Sequence, residues 1–151
     1  MKKIFKFILI FVPWLLSGFL FSKYTNFYNE LNLPFFSLPK PLFSIFWFII
    51  YFLISISIYK IYDKYNICKT KNYNFTLLIN YISNQLYLFF FFYLQNTFLG
   101  LVDSVVILIT TLLLYHETYN LDYKSSVYLK PYIYYDLYAV ILSLTIYFMN
   151  L

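Results

Sequence analysis

Residues 42–62 read LFSIFWFIIYFLISISIYKIY, and Lys60 is the one charged residue among them. A helix needs roughly 20 apolar residues to cross the ~30 Å hydrocarbon core of a bilayer. Strands of a membrane barrel would alternate polar and apolar residues over about 10 positions, whereas this run is continuous and about twice as long. The stretch therefore predicts a transmembrane helix.

Four further apolar runs of similar length share the chain with this one. The chain has 151 residues, is 62% hydrophobic and 11% charged, and has a mean hydropathy of +0.69. A water-soluble domain of average composition is far less apolar. We predict an all-α integral membrane bundle of five transmembrane helices, forming a single domain over residues 1–151. The predicted helices are residues 4–21, 42–62, 75–94, 99–115 and 131–148.

The first of these runs also fits a second interpretation. It follows two lysines and contains the small residues Ser17 and Gly18, features that are typical of a secretory signal peptide. However, no clean small-x-small cleavage site precedes Lys23, and about 18 apolar residues are enough to span a bilayer. We expect this run to be a membrane helix of the folded protein.

The distribution of lysines predicts the orientation of the helices, because basic residues accumulate in loops on the cytoplasmic side. Nine of the eleven lysines fall at the N-terminus and in the second and fourth loops, and two fall on the other side. This bias places the first loop and the C-terminus opposite the N-terminus. The nine are Lys2, Lys3, Lys6, Lys60, Lys64, Lys69, Lys71, Lys124 and Lys130, and the two are Lys23 and Lys40.

Several classes of site are disfavoured by the composition. Lysines beside membrane spans set topology, so we expect no nucleic-acid partner. With Cys68 and His116 as the single cysteine and histidine, we expect no intrachain disulfide and no metal site. Asp103 and Asp136 lie within a turn or two of the predicted helix ends, which indicates capping or snorkelling carboxylates. We identify no catalytic constellation.

Aromatic and amide side chains recur at helical spacing on three of the predicted helices. Each set forms one stripe of a helix with 3.6 residues per turn, so the three stripes can face a common interior pocket. Helix packing explains the same spacing, with the amides in interhelical hydrogen bonds and the aromatic rings filling the core, and on spacing alone it is the commoner explanation. The stripes are Phe43, Trp47 and Tyr51; Asn80, Asn84, Tyr87 and Phe91; and Tyr135, Ala139 and Leu142.

The segment from the first loop into the second helix carries a recognisable motif. It reads F-Y-x-x-L-x-x-P-x-F-x-x-P-x-x-x-F-x-x-x-W-x-x-x-Y from Phe27 to Tyr51. This segment resembles the signature of the TspO/MBR family, which reads W-Y-x-x-L-x-x-P-x-x-x-P-P followed by V-F and W-x-x-L-Y. The family includes the translocator protein, or peripheral-type benzodiazepine receptor.

The resemblance continues in order to Asn150. Residues 83–92, SNQLYLFFFF, are similar to the family's L-N-x-x-W-x-x-x-F-F, and residues 100–103, GLVD, to its A-L-V-D. Residues 131–139, PYIYYDLYA, are similar to its P-Y-x-x-W-x-x-x-A. Of the tryptophans in these family motifs, this chain retains only Trp47, and phenylalanine or tyrosine occupies the other tryptophan positions. The animal cholesterol motif is not matched at the C-terminus, so we expect no sterol binding there.

The resemblance implies a five-helix bundle, commonly a homodimer, whose first loop folds over a ligand pocket. Members of the family bind tetrapyrroles such as protoporphyrin IX, and synthetic benzodiazepine-like drugs occupy the same cavity. Carried over position by position, the resemblance implies eleven ligand-binding residues that include every member of the three stripes except Asn80, which favours the pocket over packing alone. They are Tyr28, Pro34, Phe43, Trp47, Tyr51, Asn84, Tyr87, Phe91, Tyr135, Ala139 and Leu142.

These observations lead to one expected function and two alternatives. We expect a multi-pass receptor or sensor in a bacterial cell membrane or an organelle membrane, in contact with lipid. It would bind a planar hydrophobic ligand such as a porphyrin, with no cofactor, and modulate the handling or transport of that ligand. One alternative is an enzyme that degrades protoporphyrin in light and oxygen, with Trp47 as the redox-active aromatic side chain. The other is a small-molecule transporter, although no inverted repeat or Gly-rich broken helix marks a transport path.

Overall fold

The computed structural model describes residues 2–66 and 70–151, and its architecture is five long helices joined by short connections. Each helix is long and apolar enough to cross a membrane, and the described residues include no strand. The predicted all-α five-helix fold is confirmed. Cys68 and Lys69, which the sequence places in the second loop, lie outside the described residues. The helices are α1 (Lys3–Phe21), α2 (Lys40–Lys64), α3 (Lys71–Tyr93), α4 (Thr97–Leu121) and α5 (Tyr123–Met149).

The connection between α4 and α5 is much shorter than predicted. The helix α4 continues to Leu121 rather than ending near residue 115, and Asp122 alone separates it from α5. The Asp122 carboxylate accepts a 2.9 Å hydrogen bond from the Ser125 amide and so caps the first turn of α5. The predicted end of α4 was wrong because hydropathy marks where the apolar stretch ends, whereas a helix can continue beyond it through polar residues. The final α-helical segment of α5 begins at Lys130, as predicted.

Two helices contain a local departure from α geometry. In α1, Pro13 lies in a 3₁₀ turn at Val12–Leu15, because proline cannot donate the backbone hydrogen bond of a continuous helix. In α3, the last turn at Phe89–Tyr93 is a π-helix, a geometry that occurs frequently at functional sites. Trp14 lies in the first of these segments and Phe91 in the second, and both side chains are buried.

The five helices form a closed ring in the order α1, α2, α5, α4 and α3. The helix α4 packs along α3 on one side and along α5 on the other. The helix α1 contacts α2 with its first half and α3 with its second half, and α2 contacts the start of α5. Because Trp14 of α1 is buried in the main core, the first apolar run is an integral part of the bundle.

One end of the bundle is held together by buried polar side chains. The Asn80 amide of α3 donates 3.0 Å hydrogen bonds to the hydroxyls of Thr110 and Thr111 on α4, and its oxygen accepts from the Tyr132 hydroxyl of α5 at 3.3 Å. Asn80 and Thr111 are fully buried. These bonds join three helices, so the packing explanation of the asparagine stripe is correct for Asn80.

An ion pair marks the same end of the bundle at its surface. Lys64 at the end of α2 lies 2.8 Å from Asp122 at the start of α5. The hydrogen bond from Lys64, together with those from Ser125, holds the pKa of the Asp122 carboxyl below its usual range. The second and fourth loops therefore lie on the same side of the bundle, as their shared lysine content predicts.

Candidate ligand-binding site

The opposite half of the bundle encloses a cavity of about 730 Å³ between all five helices and the first loop. Volumes of roughly 300 to 1,000 Å³ are typical of small-molecule sites. Ten of the eleven residues assigned from the family resemblance line this one cavity, and Pro34 is buried in the first loop outside its lining. The ten are Tyr28, Phe43, Trp47, Tyr51, Asn84, Tyr87, Phe91, Tyr135, Ala139 and Leu142. Their role in ligand binding stays a prediction.

Trp47 forms the centre of one wall. Its indole is tilted by 31° to the Tyr51 ring, with centroids 5.3 Å apart, and meets the Tyr135 ring edge to face at 5.1 Å. Phe43, Trp47 and Tyr51 are spaced by one turn of α2, and all three line the cavity. A planar ligand would find a preformed stacking face here.

The wall contributed by α3 is a second aromatic surface. The rings of Tyr87 and Phe91 are parallel to within 7°, with centroids 5.7 Å apart. The Tyr87 hydroxyl is hydrogen-bonded to Ser143 of α5 at 3.2 Å. Behind Phe91 the backbone of Gly100 approaches so closely that a Cβ added to it would lie 2.6 Å from the Phe91 ring. Glycine at this position therefore sets the position of Phe91.

The floor of the cavity is a chain of hydrogen bonds through Asn84. The Tyr51 hydroxyl donates to the Asn84 oxygen at 2.7 Å, and the Asn84 amide donates to the Tyr132 hydroxyl at 3.1 Å. Tyr132 donates onward to Asn80, which connects the floor to the polar network below it. Asn84 thus lines the cavity and bridges α2, α3 and α5 at the same time.

The first loop covers the mouth of the cavity. Tyr28 is buried and meets Phe43 edge to face at 5.8 Å, and burial raises the pKa of its hydroxyl. Tyr138 of α5 donates a 3.1 Å hydrogen bond to a backbone carbonyl of the loop. The end of α5 adds a reciprocal pair, because Asn150 accepts from the Asn32 amide at 2.9 Å and donates to the Asn32 carbonyl at 3.0 Å. The loop is therefore attached to α5.

The two aspartates assigned to helix ends need a correction. Asp103 is 6% exposed and Asp136 is 1% exposed, so neither carboxylate snorkels to water. Asp136 lines the cavity, whereas Asp103 does not. Asp136 does lie within about two turns of Lys130, where the final α-helical segment begins, but the packing of this segment inside the bundle buries it there. Among the described residues, no cluster of three or more potential metal ligands occurs around either carboxylate.

The sequence patterns missed the contributions of α1 and α4 to the cavity. On α4, the buried residues Ser104, Thr111 and Thr118 recur every two turns, so a polar stripe marks its inner face, whereas α1 carries no such stripe. The two serines on them, Ser17 and Ser104, are weak signals by themselves. The added lining residues of α1 and α4 are Leu15, Ser17, Gly18, Phe19, Ser104 and Ile107.

Trp14 lies close to the cavity. Its ring centroid is 5.6 Å from that of Tyr51, and the Tyr51 and Trp47 centroids are 5.3 Å apart. The Tyr51 ring therefore contacts both indoles. Trp14 is nevertheless absent from the lining of the cavity.

Comparison with known proteins gives one consistent result. A model of the TspO/MBR family matches residues 6–149. The chain is 36% identical over 152 residues to the "Tryptophan-rich protein TspO" of Bacillus cereus, covering 99% of both chains. It is 32% identical over 145 residues to the "Uncharacterized membrane protein YtaB" of Bacillus subtilis, covering 96% of this chain and 94% of that one. A protein of Archaeoglobus fulgidus, also named "Tryptophan-rich protein TspO", is 34% identical over 130 residues, covering 82% of this chain and 79% of that one.

Proposed function

The chain belongs to the TspO/MBR family, and we propose that it is a membrane receptor or sensor that binds a porphyrin or a related planar tetrapyrrole. The ligand lies in the aromatic cavity, and its binding modulates how the cell handles or transports it. The protein is a multi-pass integral membrane protein. Its similarity to proteins of Bacillus supports a cell membrane as its location, and a homodimer is part of the proposal.

The observation that carries this proposal is the shape and chemistry of the cavity. Its volume of about 730 Å³ is lined by two aromatic surfaces, one centred on the Trp47 indole and the other formed by the parallel rings of Tyr87 and Phe91. Offset or edge-to-face contacts between aromatic rings contribute roughly 0.5 to 1.5 kcal/mol beyond the burial of area. A planar macrocycle is the kind of ligand that gains from two such surfaces at once.

Titration with protoporphyrin IX in the dark tests the proposal. Trp47→Phe retains an aromatic ring but reduces its flat face, so we expect the affinity to fall about 2- to 12-fold, the equivalent of that stacking energy at 1.4 kcal/mol per decade. Binding is read from the absorption band of the porphyrin. Protein fluorescence is unsuitable as the readout, because Tyr51 contacts both indoles and a bound porphyrin would therefore quench Trp14 as well as Trp47.

The matched control is Trp14→Phe, which alters a buried indole that does not line the cavity. We expect this variant to bind the porphyrin as the parent protein does. If Trp14→Phe weakens binding and Trp47→Phe does not, the ligand lies elsewhere and the assignment of the cavity fails. If the parent protein itself does not bind porphyrin, the proposed ligand class is wrong. Conversion of bound porphyrin to new products under light would instead identify the enzyme alternative.

A further inference from the structure

The helix α1 changes its packing partner at the 3₁₀ turn that contains Pro13. Before this turn, the Phe11 ring meets the Phe48 ring of α2 edge to face, with centroids 5.4 Å apart. After it, the Ser17 amide donates a 2.9 Å hydrogen bond to the side-chain oxygen of Gln85 on α3. The part of α1 that follows the turn packs along α3 rather than along α2. This change of partner leaves a slot between the end of α1 and the start of α2.

The slot connects the cavity to the outer surface of the bundle. Phe19 of α1 is 78% exposed and Phe48 of α2 is 52% exposed, yet both residues line the cavity. Gly18 lines it as well, and a Cβ added there would meet no atom within 4 Å. On the α2 side, Ser44 is a further lining residue that is exposed. The cavity is therefore open sideways between the two helices.

This opening lies within the membrane-spanning lengths of α1 and α2. It extends along α2 from Pro41 at the mouth to Phe48, a distance of about 10 Å at the rise of an α-helix. One leaflet contributes about half of the ~30 Å hydrocarbon core. The slot therefore opens into the leaflet on the side of the first loop, where the molecules in front of it are the acyl chains of lipids.

The interior behind the slot suits a hydrocarbon chain better than water. A buried water needs two to four hydrogen-bond partners, and polar groups of this cavity are already bonded to one another. Tyr51 donates to Asn84 at 2.7 Å, and Tyr87 is bonded to Ser143 at 3.2 Å. Most of the other lining side chains are aromatic or aliphatic. An empty volume would deprive these side chains of dispersion contacts, whereas an acyl chain would restore them.

We propose that an acyl chain of a lipid from this leaflet enters the cavity through the slot and lies against Trp47 while no ligand is bound. Trp47 lies between Ser44 and Phe48 on α2 and lines the cavity, so a chain that passes the slot meets its indole. A ligand that enters at the mouth displaces the chain sideways into the bilayer. This inference goes beyond the proposed function, because it requires the cavity but no tetrapyrrole.

Fluorescence in vesicles of phosphatidylcholine brominated in the middle of its acyl chains tests the proposal, because bromine quenches tryptophan on contact. Trp14 and Trp47 are the two tryptophans of the chain, so the full-length Trp14→Phe variant reports on Trp47 alone. We expect it to lose most of its tryptophan emission relative to vesicles of unbrominated lipid. The Trp47→Phe variant reports on Trp14, which is 2% exposed and does not line the cavity, and it should keep most of its emission.

Closing the slot should protect Trp47. In the Trp14→Phe background, we expect Ser44→Phe to recover most of the lost emission by filling the slot from α2. Gly18→Leu fills it from α1, where the added side chain has open space and leucine favours the helix, so it should do the same. The matched control is Ile45→Phe, which adds the same ring at an exposed neighbouring position outside the lining and should leave the quenching unchanged.

Three results would overturn the proposal. In the first, Trp47 is quenched no more than Trp14. In the second, quenching persists in both Ser44→Phe and Gly18→Leu, so lipid reaches the indole by another path. In the third, Ile45→Phe protects Trp47 as well as Ser44→Phe does, so the slot is not the route. The dark titration with protoporphyrin IX uses no brominated lipid, so the proposed function stands or falls independently of these results.

Discussion

Replacing Asn84 with leucine separates the two roles that the structure gives to this side chain. Asn84 accepts from Tyr51 and donates to Tyr132, so Asn84→Leu removes both hydrogen bonds and disconnects α2 from the floor of the cavity. It also replaces a polar group in the cavity wall with an apolar one. We therefore expect losses in both stability and ligand affinity.

The magnitudes follow from the number of bonds lost. Side-chain hydrogen bonds between membrane helices contribute about 0.6 kcal/mol on average and about 1.7 kcal/mol at most. Two such bonds give about 1 kcal/mol of lost stability for Asn84→Leu. Asn80→Leu breaks bonds to Thr110, Thr111 and Tyr132, so its loss should be larger, about 2 kcal/mol.

Asn80 is the matched control because it lies one turn below Asn84 on the same stripe but outside the lining of the cavity. The free energy of unfolding is measured by titration with sodium dodecyl sulfate in mixed micelles, followed by circular dichroism, and porphyrin affinity by absorption. Asn80→Leu should lose stability and keep its affinity, whereas Asn84→Leu should lose both. Equal losses of affinity in the two variants would mean that the effect is transmitted through the bundle, and the assignment of Asn84 to the site would be refuted.

Three further predictions concern the frame around the cavity. Gly100→Ala should destabilise the protein by about 1 to 2 kcal/mol despite the better helix propensity of alanine, because the new methyl group overlaps the buried Phe91 ring; a stability equal to the parent's would show that the ring moves freely. Asp122→Asn should lower the melting temperature at pH 7. Folding lowers the pKa of Asp122, so its carboxylate stabilises the folded state above the pKa of about 3.9 found in unfolded chains. This stabilisation is lost as the pH falls through the folded-state pKa, so the melting temperatures of parent and variant should converge in acid. A difference in melting temperature that does not change with pH would contradict the pairing with Lys64. In a variant without native cysteine, Asn32→Cys and Lys64→Cys should react with an impermeant thiol reagent from opposite sides of sealed vesicles. Labelling of both from the same side would contradict the topology predicted from the lysines.

The sequence was sufficient for the elements that depend on local patterns. A helix of 3.6 residues per turn places Phe43, Trp47 and Tyr51 on one face whatever surrounds it, so this wall of the cavity follows from spacing alone. The family resemblance then identified which three helices share the cavity. Neither argument covers α1, because its inner face is made of residues as apolar as those that contact lipid. Only the packing of the five helices distinguishes the inner face of α1 from its lipid-facing side.

Asp136 is the clearest case in which local reasoning failed. The final α-helical segment begins at Lys130, as predicted, so Asp136 lies within about two turns of its start. Asp136 is nevertheless 1% exposed, because it lies on a side of α5 that packs inside the bundle. Its position along the helix was predicted correctly, but the side of the helix that is buried depends on packing that local patterns do not specify.

One half of the bundle contains the hydrogen-bond network that stabilises the helix packing, and the other half contains the cavity. Below the floor, Asn80 and Tyr132 connect three helices through buried hydrogen bonds, which holds the helices at fixed spacing. Above the floor, the walls are mainly aromatic, and the covering loop is attached to α5 through Asn150 and the hydroxyl of Tyr138. Few bonds have to break for this loop to open, whereas parting the helices would break the network. Ligand entry through the mouth is therefore the less costly route.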